Sequence, residues 1–336
     1  MVGTVEPEYV ALYWSGELAR RTERLERRLR SCDICPRECG ANRLEGELGF
    51  CRCTHRPIVP VACVHYGEEP VVSGTNGSGT VFFGNCNLRC VYCQNYQISQ
   101  DGKSQRTKEI DPQALAERML YLQNELCCHN INFVSPSHFI PQLVRALLTA
   151  VPMGLHLPLV YNTNSYDSIK SLRELKGVIG VYLADLRYAS DKWGQRFSRV
   201  SDYVSQARAA IQEMYWQVGD LVVDDEGIAW KGLIVRHLIL PNRLAGSRDS
   251  LSWLVSEVSP AVAVSIMSQY YPAHRARRIP LLARQILSSE YAEVMALLEE
   301  LEMENGWVQE MGVAESYLPD FIGKSHPFDT VVGSRR

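Results

Sequence analysis

From Thr80 onward, short apolar runs alternate with longer stretches in which apolar residues recur at helical spacing. The runs TVFFG, INFV, LPLVYN, VIGVYLAD, GLIVRHLIL and AVAVSIMSQYY predict six strands. Between them the periodicity predicts helices near 112–127, 139–150, 166–175, 203–218 and 248–258. Such alternation means parallel βαβ units, because a strand returns parallel to its predecessor only after a crossover. Repeated right-handed crossovers close toward a barrel or spread as a doubly wound sheet.

The flanks have a different texture. Residues 9–30 read as one helix, with Leu18, Leu25 and Leu29 on one stripe and Arg20, Arg21, Arg24, Arg27, Arg28 and Arg30 mostly on the others. Glu23 and Glu26 at helical spacing make a solvated face the favoured reading, with an RNA-binding arm as the alternative. The stretch from Cys32 to Gly79 is too irregular for long helices and calls for a metal or cluster to hold it. After Tyr271, the loop PAHRARRIP leads to a helix near 288–304, where Tyr291, Val294, Leu298 and Leu301 are spaced to face a core; the tail reads as a cap. The expected division is an N-terminal helix and Cys-rich module over 1–78, a central unit over 79–272 and a C-terminal helix and cap over 273–336. DDEG at 224–227 lacks EF-hand ligand periodicity and reads as a surface turn.

Composition narrows the class. The chain has 336 residues, 46% hydrophobic and 22% charged, which excludes a collagenous, coiled-coil or largely disordered protein. A formal charge of -3 argues against a surface built wholly for nucleic acid. The N-terminal segment turns charged before any signal-like apolar core, and no run approaches the ~20 residues that span a bilayer, so a cytoplasmic protein without membrane contact is expected. In a reducing compartment the eleven cysteines read as ligands or free thiols rather than disulfides. Nine of them lie between Cys32 and Cys93, in two groups, while Cys63, Cys127 and Cys128 are expected to pack as small apolar residues.

Directly after the first run comes CNLRCVYCQN, presenting Cys86, Cys90 and Cys93 on one short loop. An electron-transfer [4Fe–4S] centre normally takes four cysteines, whereas three leave one iron open to bind a substrate or cofactor. Structural zinc usually recruits four ligands in paired knuckles, which this loop alone does not supply.

This spacing, with Tyr92 before the last cysteine, resembles the radical S-adenosylmethionine (SAM) signature, and most of residues 30–300 is similar to pyruvate formate-lyase activating enzyme-like proteins. The resemblance implies an α/β fold, a partial (β/α)6 TIM-type barrel with the Cys-rich module before it and the cap after it. It implies a radical SAM oxidoreductase in which Cys86, Cys90 and Cys93 hold a [4Fe–4S] cluster. Reduction of that cluster cleaves SAM to a 5′-deoxyadenosyl radical for hydrogen abstraction. Tyr92 is implied near the adenine, and Asn162, Asn164, Asp185, Arg187, Arg236, Ser135 and Ser137 are implied as SAM contacts. Two segments depart from the family pattern. Asp185 and Arg187 stand where the family has Asp-x-Lys, on one strand face by the period of two. Ser135, Ser137 and His138 occupy the place of a Gly-Gly-Glu segment, so hydroxyls and an imidazole stand where the family has a carboxylate; an N-cap for the next helix is the alternative reading. Arg236 and His237 fall on opposite strand faces, Arg236 toward the interior and His237 as a satisfied buried histidine.

The resemblance also implies a low-potential electron donor such as flavodoxin or ferredoxin and a glycyl radical enzyme as the protein substrate. RNA or another peptide, docked on the Arg-rich segments, stays open as the substrate, and a non-catalytic iron–sulfur or zinc scaffold is the reading from another class. CDICPRECG with CRC gives a second four-ligand set, Cys32, Cys35, Cys39 and Cys51, with Cys53 competing for the fourth place and zinc or iron–sulfur as the occupant.

Overall fold

The computed structural model describes residues 6–100, 107–315, 317–324 and 326–328. Among these residues nine strands form: β1 (Val61–His65), β2 (Ser78–Phe82), β3 (Ile131–Val134), β4 (Leu159–Thr163), β5 (Val181–Asp185), β6 (Val222–Val223), β7 (Ala229–Leu238), β8 (Ala263–Met267) and β9 (Gly306–Val308). They make one sheet in the order β1-β2-β3-β4-β5-β7-β8-β9, with β6 paired to β7 off this path. Every neighbour from β2 to β9 along that path is parallel, while β1 runs antiparallel to β2 and β6 antiparallel to β7. All six predicted runs are strands of this sheet, and β1, β6 and β9 are additions.

The crossover helices are Pro112–Asn124, Ile140–Ala150, Ile169–Arg173, Tyr203–Val218 and Ser247–Glu257. Their starts follow local chemistry: Asp111 caps the first by accepting the Ala114 N–H at 2.8 Å, and proline stands in the first turn of the first two, where no intrahelical N–H is needed. Helices outside and side chains inside bury both sheet faces, so β3, β5 and β8 are almost wholly buried. Inward positions follow the period of two. Val72, from a short helix at Pro70–Ser73, meets Val160, Leu183, Ile234 and Ala263 in an apolar floor, and the same strands turn polar above it at Asn162, Asp185, Arg236 and Ser265.

The N-terminal helix breaks at Gly16 (φ 73°) into Glu8–Trp14 and Glu17–Arg27, followed by a 3-10 turn at Arg28–Ser31. Leu18, Leu25 and Leu29 are buried as their spacing predicts, each contributing roughly 2 kcal/mol of transfer free energy. The basic face is partly paired within the chain: Arg20, Arg21 and Arg24 contact Glu17, Arg24 also reaches Glu174, and Glu26 binds Arg145.

One sheet crosses both of the divisions drawn at 78/79 and 272/273, since β1 pairs with β2 and β9 with β8. The C-terminal helix spans Ser288–Glu300 and buries Val294 and Leu297, with Tyr291, Leu298 and Leu301 partly buried beside them. Beyond it, Phe321 and Phe328 pack on Phe82, and His326 donates to Val64 O at 2.9 Å, so the tail covers the β1–β2 edge. Asp224 accepts the N–H groups of Glu226 and Ile228, which makes DDEG the turn of the β6–β7 hairpin. Cys63 and Cys128 are buried, but Cys127 is exposed: it sits in a left-handed turn (φ 51°) after the helix and points away from the core.

Candidate active site

The loop after β2 leaves the sheet through a crowded bend. A Cβ on Gly84 would lie 2.5 Å from Ile58, whose carbonyl accepts the Gly84 N–H at 2.9 Å, so only glycine fits. Asn85 follows in the left-handed region (φ 63°), a conformation that Asn tolerates. From there backbone bonds fix the loop: Arg89 and Val91 donate to Ser198 O and Phe197 O, while Arg275 and Ala276 both donate to Val91 O. PAHRARRIP is therefore a brace for the cysteine loop through its main chain.

Each sulfur has a separate polar partner. Leu88 N and Asn164 Nδ2 donate to Cys86 Sγ at 3.3 and 3.5 Å. Cys90 Sγ stands 3.0 Å from Ser198 Oγ and 3.8 Å from Arg187 Nη1; Cys93 Sγ stands 3.3 Å from Ser99 Oγ. Burial pushes the Cys86 thiol up and the Cys93 thiol up to about 12, and the neighbouring Cys90 adds to both. Thiolates here need a compensating cation, which metal binding supplies.

Beside Cys93 opens a cavity of about 400 Å³, lined at the C-terminal ends of the strands by Asn162, Asn164, Asp185, Arg187 and Arg236. These are five of the candidates expected from the sequence. Asp185 and Arg187 share a face as predicted, with Arg187 Nη2 donating to Asp185 Oδ2 at 2.5 Å. Arg236 pairs in register with Asp185 and comes within 3.7 Å of it. Ser135 lines the same cavity, held left-handed (φ 57°) by its N–H on Asn162 O. Tyr92 reaches it too, although its hydroxyl turns into the core and donates to Tyr188 at 2.6 Å.

Ser137 is the exception among the expected contacts. It lies outside the cavity lining, 1% exposed, with Oγ 3.2 Å from Thr163 Oγ1, because the chain after β3 has already turned into the next helix. His138 likewise serves the frame: Nε2 donates to Gly84 O at 3.0 Å, and burial holds its pKa down to about 3. His237 is the satisfied buried histidine expected, between Leu186 O and Ser247 Oγ, with burial lowering its pKa to about 4.

Sequence reasoning missed Glu68 and Glu69. They sit between β1 and the short helix at Pro70–Ser73, in a stretch read only as irregular, yet both line the cavity. Glu68 accepts from Asn132 and Asn162 at 2.9 and 3.3 Å and from Arg236 at 3.2 Å; Glu69 lies 3.5 Å from Arg236, with its Oε2 buried and unpartnered. The only local signal is two adjacent acids before a helix-starting proline. Their counter-charge, Arg236, lies 167 residues after Glu69, so no local pattern reveals the pairing.

Residues 80–213 match the Radical SAM superfamily. An uncharacterized protein of Methanocaldococcus jannaschii is 28% identical over 279 residues, 82% of this chain and 76% of that protein. Among solved structures, a radical SAM methyltransferase from Sphaerobacter thermophilus superposes with a TM-score of 0.47 at 11% identity, covering 71% of this chain and 69% of that one. HydG, a maturase of the [FeFe]-hydrogenase, gives 0.48 at 13% identity over 69% of this chain and 50% of its own. The matched segment begins in β2, carries the cysteine loop and ends in the helix Tyr203–Val218.

The superfamily implies a [4Fe–4S] cluster and SAM. The donor set fits the cluster: three thiols on one loop, each with its own polar partner, beside a polar cavity. Among the described residues no three His, Cys, Asp or Glu side chains converge on one ion. A cluster takes each cysteine on a different iron. Among the described residues no helix is long and apolar enough to cross a membrane.

Proposed function

We propose that this chain is an enzyme that reductively cleaves SAM at a cluster held by Cys86, Cys90 and Cys93, inside an open partial barrel. When bound, the cluster and SAM supply one-electron cleavage of a carbon–sulfur bond and, through it, hydrogen abstraction from a substrate carbon. The carrying observation is the meeting of the two ligand sets: Asn164 and Arg187, which end adjacent strands at the cavity, also reach the sulfurs of Cys86 and Cys90.

The chain's own residues bind and orient. Asn164 is fixed by donating to Asn87 Oδ1 at 2.8 Å, so one amide links the cluster loop to the cavity wall. Of the ionised lining groups, Glu68, Glu69 and Asp185 are carboxylates against the guanidiniums Arg187 and Arg236. Burial keeps His65 neutral by lowering its pKa to about 4. The lining thus carries a surplus negative charge and favours a cationic ligand, the character of a sulfonium bearing an ammonium group. The unpartnered Glu69 oxygen is the acceptor for such a group, and Arg187 and Arg236 are the donors for a carboxylate. These carboxylates from outside the β3 end take the place that Ser135, Ser137 and His138 leave without one.

The substrate is a glycine of a partner protein in this reading, after the activating-enzyme resemblance, with a low-potential one-electron carrier as donor. The test is anaerobic reconstitution followed by dithionite and SAM, with 5′-deoxyadenosine measured in the wild type and in Cys90→Ser. Product from the wild type alone supports the proposal; equal yields, or none from a wild type that has taken up iron and sulfide, overturn it.

A further inference from the structure

Beside the second cysteine group lies a buried charge with no paired acid among the described residues. Arg43 is 1% exposed, the largest fully buried side chain among the described residues. Its guanidinium donates to Thr54 O at 2.7 and 3.0 Å, to His138 O at 2.8 Å and to Cys32 Sγ at 3.8 Å, and it lies over the Phe139 ring. No carboxylate is paired with it among the described residues. Arginine keeps its proton, so a buried guanidinium without an acid is costly unless an anion lies beside it. The groups in its field are Cys51, Cys53 and Cys32.

The backbone builds a knuckle there. Cys32 N–H donates to Ala41 O and Gly40 N–H to Cys32 O, both at 3.0 Å, which folds Cys32–Cys39 into a tight hairpin. Gly49 packs so closely on Cys39 that a Cβ would lie 2.3 Å from its sulfur, which brings Cys51 to the same place. Cys35 sits in the field of Cys51, Cys32 and Cys39. Cys53 stays beside Cys51, donating to its carbonyl at 3.4 Å and accepting from Asn85 Nδ2 at 3.4 Å.

We infer that Cys32, Cys35, Cys39 and Cys51 hold a second iron–sulfur cluster, with the Arg43 guanidinium as its fixed counter-ion. Four thiolates on a cluster leave it anionic, which supplies the charge that Arg43 lacks. Two arginines lock this knuckle to the first cysteine loop. Arg37 Nε donates to Asn87 O at 3.0 Å, Arg89 donates to Phe50 O at 2.7 Å and Cys86 O at 2.8 Å, and both guanidiniums lie over the Phe50 ring.

The inference does not depend on SAM cleavage, and the test removes the first cluster. The variant Cys86→Ala/Cys90→Ala/Cys93→Ala, reconstituted anaerobically with iron and sulfide, is expected to retain about four irons and four sulfides per chain. Adding Cys35→Ser is expected to remove them. Zinc without sulfide, or no bound metal in a variant with wild-type circular dichroism, overturns the inference. Should the triple variant fail to fold, Cys35→Ser alone is measured: losing about half of the wild-type iron supports a second cluster, and full retention overturns it. Arg43→Met is expected to lower iron occupancy at this site, and unchanged occupancy overturns the counter-ion role.

Discussion

The two cysteine loops use the same side chain in different surroundings. Cys86, Cys90 and Cys93 leave a parallel strand at its C-terminal end, beside a polar cavity that seven other strands help to line. Cys32, Cys35, Cys39 and Cys51 lie in a knuckle that lines no part of that cavity and is backed by the buried Arg43. The difference teaches that neighbours assign the work of a thiol. Beside a cavity, three sulfurs leave room for a ligand, whereas four sulfurs on a cluster would leave no iron open.

Replacing a ligand in the first loop gives the largest expected effect: Cys93→Ala reduces 5′-deoxyadenosine formation to background in an anaerobic assay. If the second loop were equally a reaction centre, Cys35→Ser would do the same, and retained product formation there separates the two. Next is Glu69→Gln, which removes the unpartnered cavity oxygen from the charged acceptor set. SAM affinity measured by equilibrium dialysis is expected to fall about 10-fold or more, the worth of one hydrogen bond to a charged group.

A third effect belongs to the frame that both loops share. His138 and His237 are held neutral, with pKa values lowered to about 3 and about 4, below the ordinary value near 6.5. The unfolded chain therefore binds more protons between those limits. Their contribution to stability is present above about pH 6.5 and is lost as pH falls toward 4 and below. For His237 alone this amounts to about 3 kcal/mol, checked by urea unfolding across that range against His237→Asn, whose curve should be flatter. The smallest effect lies on the N-terminal helix, where Arg24→Ala, on a half-exposed pair, is expected to cost about 1 kcal/mol or less.

Much of the sheet was legible because buried parallel strands are continuous apolar runs, and the helices between them have a clear period. β1 and β9 were not. β9 has three residues, two of them exposed, and carries no pattern of its own; β1 lies among the cysteines and is a strand only because β2 offers it an edge. The single helix read over 9–30 breaks because Gly16 adopts a left-handed turn, which periodicity does not register.

At the site, the cysteine spacing and the same-face relation of Asp185 and Arg187 follow from chain order and strand geometry, so the amino-acid sequence alone determined them. It also determined that Arg236 and His237 must part to opposite faces. Only the tertiary structure decided that Ser137 turns away, that Glu68 and Glu69 reach the cavity beside Arg236, and that Arg43 is sealed beside the second thiol group. Each of those depends on segments far apart in the chain meeting through burial, and burial is a property of the packed whole that local spacing does not encode.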